Sequence, residues 1–257
     1  MSMIPSSARL ACPGVLFCVP MLLIAPDVAK AQDQNHVVIG AGAAVAPAYQ
    51  GADDYRILPI PAIDIKEGPF FINLRNGIGI EPISNDIVTI GASAVFMQGY
   101  RRRDVPAGID KLSDGVGARI FATVRTQGFV ATVGAVKGLS GGTKGVIADA
   151  SLSYPIRLSP KFSLTPTIGT TWADRKHNDR YFGVTAAEAL ASGLPRFQAG
   201  AGFKDASAAL TAVYRLTDRI SLSATGNLTT LVDDAKDSPI VFHKTQPSGF
   251  LALSYRF

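Results

Sequence analysis

Ser248-Gly249-Phe250-Leu251-Ala252-Leu253-Ser254-Tyr255-Arg256-Phe257 ends the chain, and its reading decides the fold. Leu251, Leu253, Tyr255 and Phe257 fall on one face; Phe250, Ala252, Ser254 and Arg256 fall on the other. A period of two is a strand. An apolar face that stops at a terminal aromatic suits a transmembrane β-barrel, with lipid outside, a polar lumen inside and an aromatic girdle at the interface.

The other end of the chain agrees. Arg9 precedes an apolar stretch over residues 10–25, and Ala29-Lys30-Ala31 fits a small-x-small cleavage pattern with Gln32 as first mature residue. Residues 1–31 therefore read as a secretory signal peptide and 32–257 as one outer-membrane barrel domain. A membrane anchor is disfavoured because Pro13, Pro20 and Pro26 interrupt a run shorter than the roughly 20 residues of a spanning helix. Lipidation at Cys18 is rejected, since Phe17 precedes it where a small residue is required. Both cysteines, Cys12 and Cys18, lie in the signal, which excludes disulfides, thiolate metal sites and thiol nucleophiles from the mature chain. Charged residues make up 18 % of the chain, low for a soluble protein. The net charge of +5 is dispersed, with no basic run beyond Arg101-Arg102-Arg103, so no nucleic-acid partner is implied.

Reading backwards, the alternation recurs. Residues 219–229 set Ile220, Leu222, Ala224 and Leu228 against Ser221, Ser223, Thr225 and Asn227. Similar patterns cover 203–216, 162–172, 146–157 and 116–126, with weaker ones at 37–46, 55–66, 70–75, 77–83, 87–97 and 129–137. With the final strand this predicts an all-β, antiparallel up-and-down barrel of about twelve strands, an even number as bacterial barrels have. The segments flanking Asn76-Gly77 are short enough to be one bent strand, which would lower the count. Alternate connections at 66–69, 84–86, 127–128, 158–161 and 217–218 are turn-sized and rich in turn formers, as periplasmic turns are. The other set, 47–54, 98–114, 139–145, 173–202 and 230–247, is longer and reads as outer loops. Asn76-Gly77 is the exception, an outer connection as tight as a periplasmic turn. Within the longest loop, Thr185-Ala186-Ala187-Glu188 is a capping box, which predicts a short helix stopped by Gly193 and Pro195 and lying over the barrel mouth.

Site chemistry is sparse. Val37-Val38-Ile39-Gly40-Ala41-Gly42 starts like a dinucleotide fingerprint, but Val45 stands where Gly or Ala is needed and Pro47 would break the following helix. A glycine-rich first strand accounts for it better. His36, His177 and His243 are the only histidines; Asp174, Asp179, Asp233, Asp234 and Asp237 are candidate partners for a hydrolase at the rim, without a nucleophile elbow or fixed spacing to support one. Asp233, Asp234 and Asp237 lack the glycine-turn framework of a calcium loop. No cofactor, metal or catalytic residue is assigned. The expected inward face carries Arg119, Arg125, Arg157, Arg215, Arg219 and Arg256, with Asp64 and Asp149 as possible partners. Two readings stay open: a basic lumen that favours anions, or Arg–carboxylate pairs that fill a narrow barrel.

Pro47-Ala48-Tyr49-Gln50-Gly51, Asp114-Gly115-Val116-Gly117-Ala118-Arg119, Arg180-Tyr181-Phe182-Gly183-Val184-Thr185, Ser192-Gly193-Leu194-Pro195, Ala199-Gly200-Ala201-Gly202, Asp237-Ser238-Pro239-Ile240-Val241 and the closing Ser254-Tyr255-Arg256-Phe257 occur in this order along the chain. Together they resemble the MltA-interacting protein (MipA/OmpV) family of outer-membrane proteins. The resemblance implies a non-enzymatic barrel in contact with outer-membrane lipid and lipopolysaccharide. It further implies a scaffold joining a lytic transglycosylase to a peptidoglycan synthase. A narrow anion-preferring pore, a loop-mediated adhesin and a rim hydrolase are the alternatives.

Overall fold

The last strand seals the structure. In the computed structural model, β13 (Thr245–Arg256) pairs antiparallel with β1 (His36–Pro47), from Val38 opposite Arg256 to Val45 opposite Gly249. The structure describes residues 35–257; the expected signal peptide, with Cys12 and Cys18, lies outside the described residues.

Between these ends run β2 (Tyr55–Glu67), β3 (Phe70–Asn73), β4 (Gly77–Ser84), β5 (Val88–Met97), β6 (Gly115–Arg125), β7 (Val130–Gly138), β8 (Val146–Ser153), β9 (Ile156–Ser159), β10 (Phe162–Ala173), β11 (Gly202–Arg215) and β12 (Ile220–Leu231). Each neighbouring pair is antiparallel. β8 and β9 both pair with β10 and form a single stave, interrupted at Tyr154-Pro155 because proline cannot donate to the ladder. The result is a closed barrel of 12 staves.

Register sorts the side chains. Ile57, Ile78, Ile120, Val133, Ile168, Leu210, Leu251 and Leu253 stand on the outer face with 47 to 77 % of their surface exposed. So broad an apolar surface is stable only against lipid. At the end carrying the short turns, Phe129 packs on Tyr154 (ring centres 4.8 Å apart), Phe162 on Tyr214 (6.4 Å) and Tyr255 on Phe257 (4.9 Å). The first two pairs join neighbouring strands, the third lies along the end of β13, and together they form the periplasmic aromatic girdle.

The inner face is polar and satisfied across neighbouring strands. Thr123–Thr132, Ser153–Thr167 and Thr211–Thr225 are hydroxyl pairs 2.9 to 3.0 Å apart. The glycines of the apparent dinucleotide motif belong to this wall. A Cβ on Gly40 would lie 2.1 Å from the Leu253 carbonyl oxygen, and one on Gly42 would lie 2.3 Å from that of Leu251. Glycine there lets β13 coil closely onto β1.

Candidate functional site: a chamber between a plug and a cap

The outer loops build a second hydrophobic core above the barrel. Ala48, Tyr49, Tyr100, Ile109, Leu112, Tyr181, Phe182, Val184, Ala199 and Ile240 come from four loops and are buried together. The longest loop contributes two helices, α1 (Arg175–Phe182) and α2 (Ala186–Ser192). Asp174 caps α1 through the His177 amide. The capping box at Thr185 and Glu188 starts α2, and Gly193 ends it at φ 75°.

Polar contacts then tie the loops to one another. The Tyr49 hydroxyl donates to the Ile240 carbonyl at 2.7 Å, and the Ser238 hydroxyl to that of Phe182 at 2.5 Å. The Gln246 side chain bonds both Gly51 and Ala52. Glu188 also accepts the Asp110 amide at 3.0 Å. Burial alone would raise its pKa, but bonds from Thr185 and Asp110, with Arg180 nearby, bring it below its usual value. Burial pushes the Tyr100 phenol up to about 12. The same cause takes the His177 imidazole down to about 3, with Lys204 adding to the effect, so it is neutral at physiological pH.

Lower down, side chains cross the barrel interior. β3 has only four residues, about 14 Å along the strand against an apolar band of about 25 Å. The β3–β4 turn therefore ends partway up the wall, and its polar groups must face inward. Arg75 donates to the Ser151 hydroxyl at 2.9 Å. Asn76 accepts from Arg119 at 3.2 Å, and Arg119 clasps both oxygens of Asp149 at 2.5 and 2.9 Å. Arg119 is 6 % exposed and lies 6.0 Å from the Phe121 ring centre, which packs edge-on against Phe71. Together these groups form a plug.

Between plug and cap lies a cavity of about 290 Å³, walled by Ala46, Ile60, Leu74, Met97, Leu112 and Val136, with Arg75, His177, Lys204 and Asp205 among its polar groups. A register shift at Thr171/Trp172 turns both Lys204 and Asp205 inward, as β-bulges re-aim side chains. Lys204 bonds Asp205 at 2.6 Å and Gln50 at 2.7 Å. The buried Nδ1 of His177 has no hydrogen-bond partner among the described residues.

The arginines of the inward reading divide into two groups. Arg119 and Asp149 meet in the plug, and Arg125 bonds the buried Thr89 near the periplasmic end. Asp64 lies inward beside His36 at 3.4 Å. Arg157, Arg215 and Arg256 lie where their strands meet the periplasmic rim. Arg219 departs from the inward reading: it sits in the β11–β12 turn, fully exposed, and donates to the Tyr255 hydroxyl on the outer face at 3.0 Å. A turn residue is not bound by the strand's alternation.

Sequence reasoning passed over Arg75, Lys204 and Asp205. A strand of only four residues, stopping two residues short of an arginine in the turn, marks the first. Two adjacent charges inside a barrel strand, where alternation permits one inward, mark the bulge. The histidines and loop acids do not assemble a catalytic set. Asp233 and Asp234 accept the amides of Phe203 and Gly200, and Asp237 faces Lys244. The described residues contain no group of three His, Cys, Asp or Glu placed to hold a metal ion.

The chain resembles named proteins along most of its length. It is 25 % identical to the MltA-interacting protein of Escherichia coli (strain K12), over 92 % of this chain and 96 % of that one. It is 22 % identical to the 24 kDa outer membrane protein of Pasteurella multocida (strain Pm70), over 87 % and 91 %. Among solved structures, the KdgM porin superposes with a TM-score of 0.44 at 8 % identity, covering 86 % of this chain and 99 % of that one. The family model described as MltA-interacting protein MipA matches residues 39–257, and the chain is an outer-membrane β-barrel belonging to that family.

Proposed function

We propose that the protein is a non-enzymatic envelope scaffold whose periplasmic rim docks a murein-acting enzyme. The observation that carries this reading is the placement of its basic residues. Arg157, Lys161, Arg215, Arg219 and Arg256 sit at the periplasmic ends of β9 through β13, which are contiguous staves, with Asp218 the acid in the same turns. An arc with five basic residues to one acid steers and orients an acidic partner. The periplasmic turns are too short to supply the roughly 1,000 Å² of a stable interface, so the rim as a whole must contribute. The name of the E. coli relative, an MltA-interacting protein, supports such a partner. By the family resemblance that partner is a lytic transglycosylase, and a peptidoglycan synthase is the second.

Crosslinking in whole cells followed by detergent extraction tests the proposal. A murein hydrolase should co-purify with the wild type and be depleted when Arg157, Arg219 and Arg256 are changed to Glu together. Retention of no envelope enzyme would refute the scaffold. A narrow anion-preferring pore is the second reading, favoured by the excess positive charge of Arg75 and Arg119 over Asp149 inside the wall. It requires the plug and the cap to move.

A further inference from the structure

The barrel wall is incomplete in its outer half, and the gap leads to the chamber. β3 pairs with β2 only over residues 64–67, and β4 reaches β5 only as far as Ala94. Among the described residues, no ladder joins residues 55–63 of β2 or 95–97 of β5 on the sides that face each other. A bare sheet edge is costly in hydrocarbon. Pro59 and Pro61 remove donors from β2; because their partners in β1 stay in continuous register, their nitrogens point to the open side. The Arg56–Asp104 ion pair fastens the loop of residues 98–114 against the outermost part of this edge. Leu74, Val95 and Met97 on one border of the notch and Ala46 and Ile60 toward the other all line the cavity.

The charge inside is unbalanced at one point. Two guanidinium groups share one carboxylate, and Arg119 takes both of its oxygens. Two other inward acids are engaged elsewhere, Asp64 by His36 and Glu81 by Lys66. Lys204 and Asp205 neutralise each other at 2.6 Å. Arg75 is left with the Ser151 hydroxyl, and no carboxylate lies within ion-pairing distance of it among the described residues. A guanidinium carries five donors arranged to grip a carboxylate. An ionised side chain at membrane depth is a functional-site hypothesis by default, and Arg75 shares its nearby carboxylate, Asp149, with the arginine that holds both of its oxygens.

We infer that the chamber binds a small monocarboxylate amphiphile, its carboxylate on Arg75 and its apolar body against Leu74, Met97 and Ile60, entering from the outer leaflet through the β2–β5 notch. A volume of about 290 Å³ lies at the small end of ligand pockets, which suits a medium acyl chain rather than a whole phospholipid. The inference is independent of the scaffold proposal.

Decanoate labelled with ¹³C at the carboxyl is the probe, measured by NMR on the full chain in lipid nanodiscs, with decanol and acetate as competitors. Saturable binding is expected, with no displacement by decanol and displacement by acetate only at far higher concentration. Arg75→Gln should weaken binding about tenfold or more, and Arg75→Lys should weaken it less. Leu74→Trp, which fills the notch side of the cavity without altering charge, should abolish it. Heat-modifiable electrophoretic mobility verifies that each variant is folded. Absence of saturable binding, or unchanged binding in Leu74→Trp, overturns the chamber assignment. Equal competition by decanol, or unchanged binding in Arg75→Gln, overturns the role of Arg75. Acetate competing as well as decanoate itself assigns a bare anion site and overturns the amphiphile.

Discussion

The two halves of this barrel are held by different means. In the periplasmic half, neighbouring strands satisfy each other: Thr123 with Thr132, Ser153 with Thr167, Thr211 with Thr225. In the outer half, the wall is notched and order comes from loops distant in sequence, as Tyr49 meets Ile240 and Tyr100 meets Tyr181. Contacts between adjacent strands form with the wall. The cap requires long loops to close, at an entropic cost that its buried side chains and the hydrogen bonds between loops offset. The lower half should therefore behave as one cooperative unit and the cap as a separable one.

The sharpest way to break this contrast is in the plug. Asp149→Ala leaves Arg119 buried without its carboxylate and should cost about 3–5 kcal/mol. Urea unfolding in detergent micelles should show the whole barrel destabilised, and a change confined to the loops would argue against a plug that braces the wall. Phe182→Ala in the cap removes a fully buried ring and should cost about 3 kcal/mol, the low end for such changes because loops can collapse onto the void. Here the expected readout is faster protease cleavage of the outer loops with the barrel core intact.

The pH response separates the halves further. Folding holds the His177 imidazole at about 3, below its usual 6.5. Its contribution is complete above pH 6.5 and is lost progressively as pH falls toward 3, when the unfolded state takes up the proton first. Lys204 from β11 and Tyr181 from α1 are the groups that face it. Loop protection in hydrogen exchange should decline over that range, and His177→Phe should flatten the decline. The smallest effect belongs to Thr185→Ala, which removes the α2 cap and should cost about 1 kcal/mol, read in the exchange of the α2 amides alone.

The same division governs what the residues disclose in advance. Leu251 and Leu253 against Ala252 give the wall directly, because a strand's faces follow from its own alternation. The Thr185–Glu188 box announces α2 because a cap is local chemistry. α1 lies in a polar segment whose one local mark is the Asp174 cap. The Tyr154-Pro155 break splits one expected strand into β8 and β9 for a reason visible at the proline. Arg75, by contrast, reads as the end of a strand until β3 is seen to stop short, and its Ser151 partner lies 76 residues away. The bulge that turns Lys204 inward depends on pairing with β10, which no single segment reveals. Arg219 reads as inward by extrapolating alternation past the end of its strand.

Planar-bilayer recording tests the central claim most directly, that plug and cap together close the barrel. The purified full chain should insert without unitary current steps at neutral pH, while Arg75→Ala/Asp149→Ala with the cap loop of residues 174–201 shortened should conduct. Stable, anion-selective steps from the wild type would contradict the account and favour the pore.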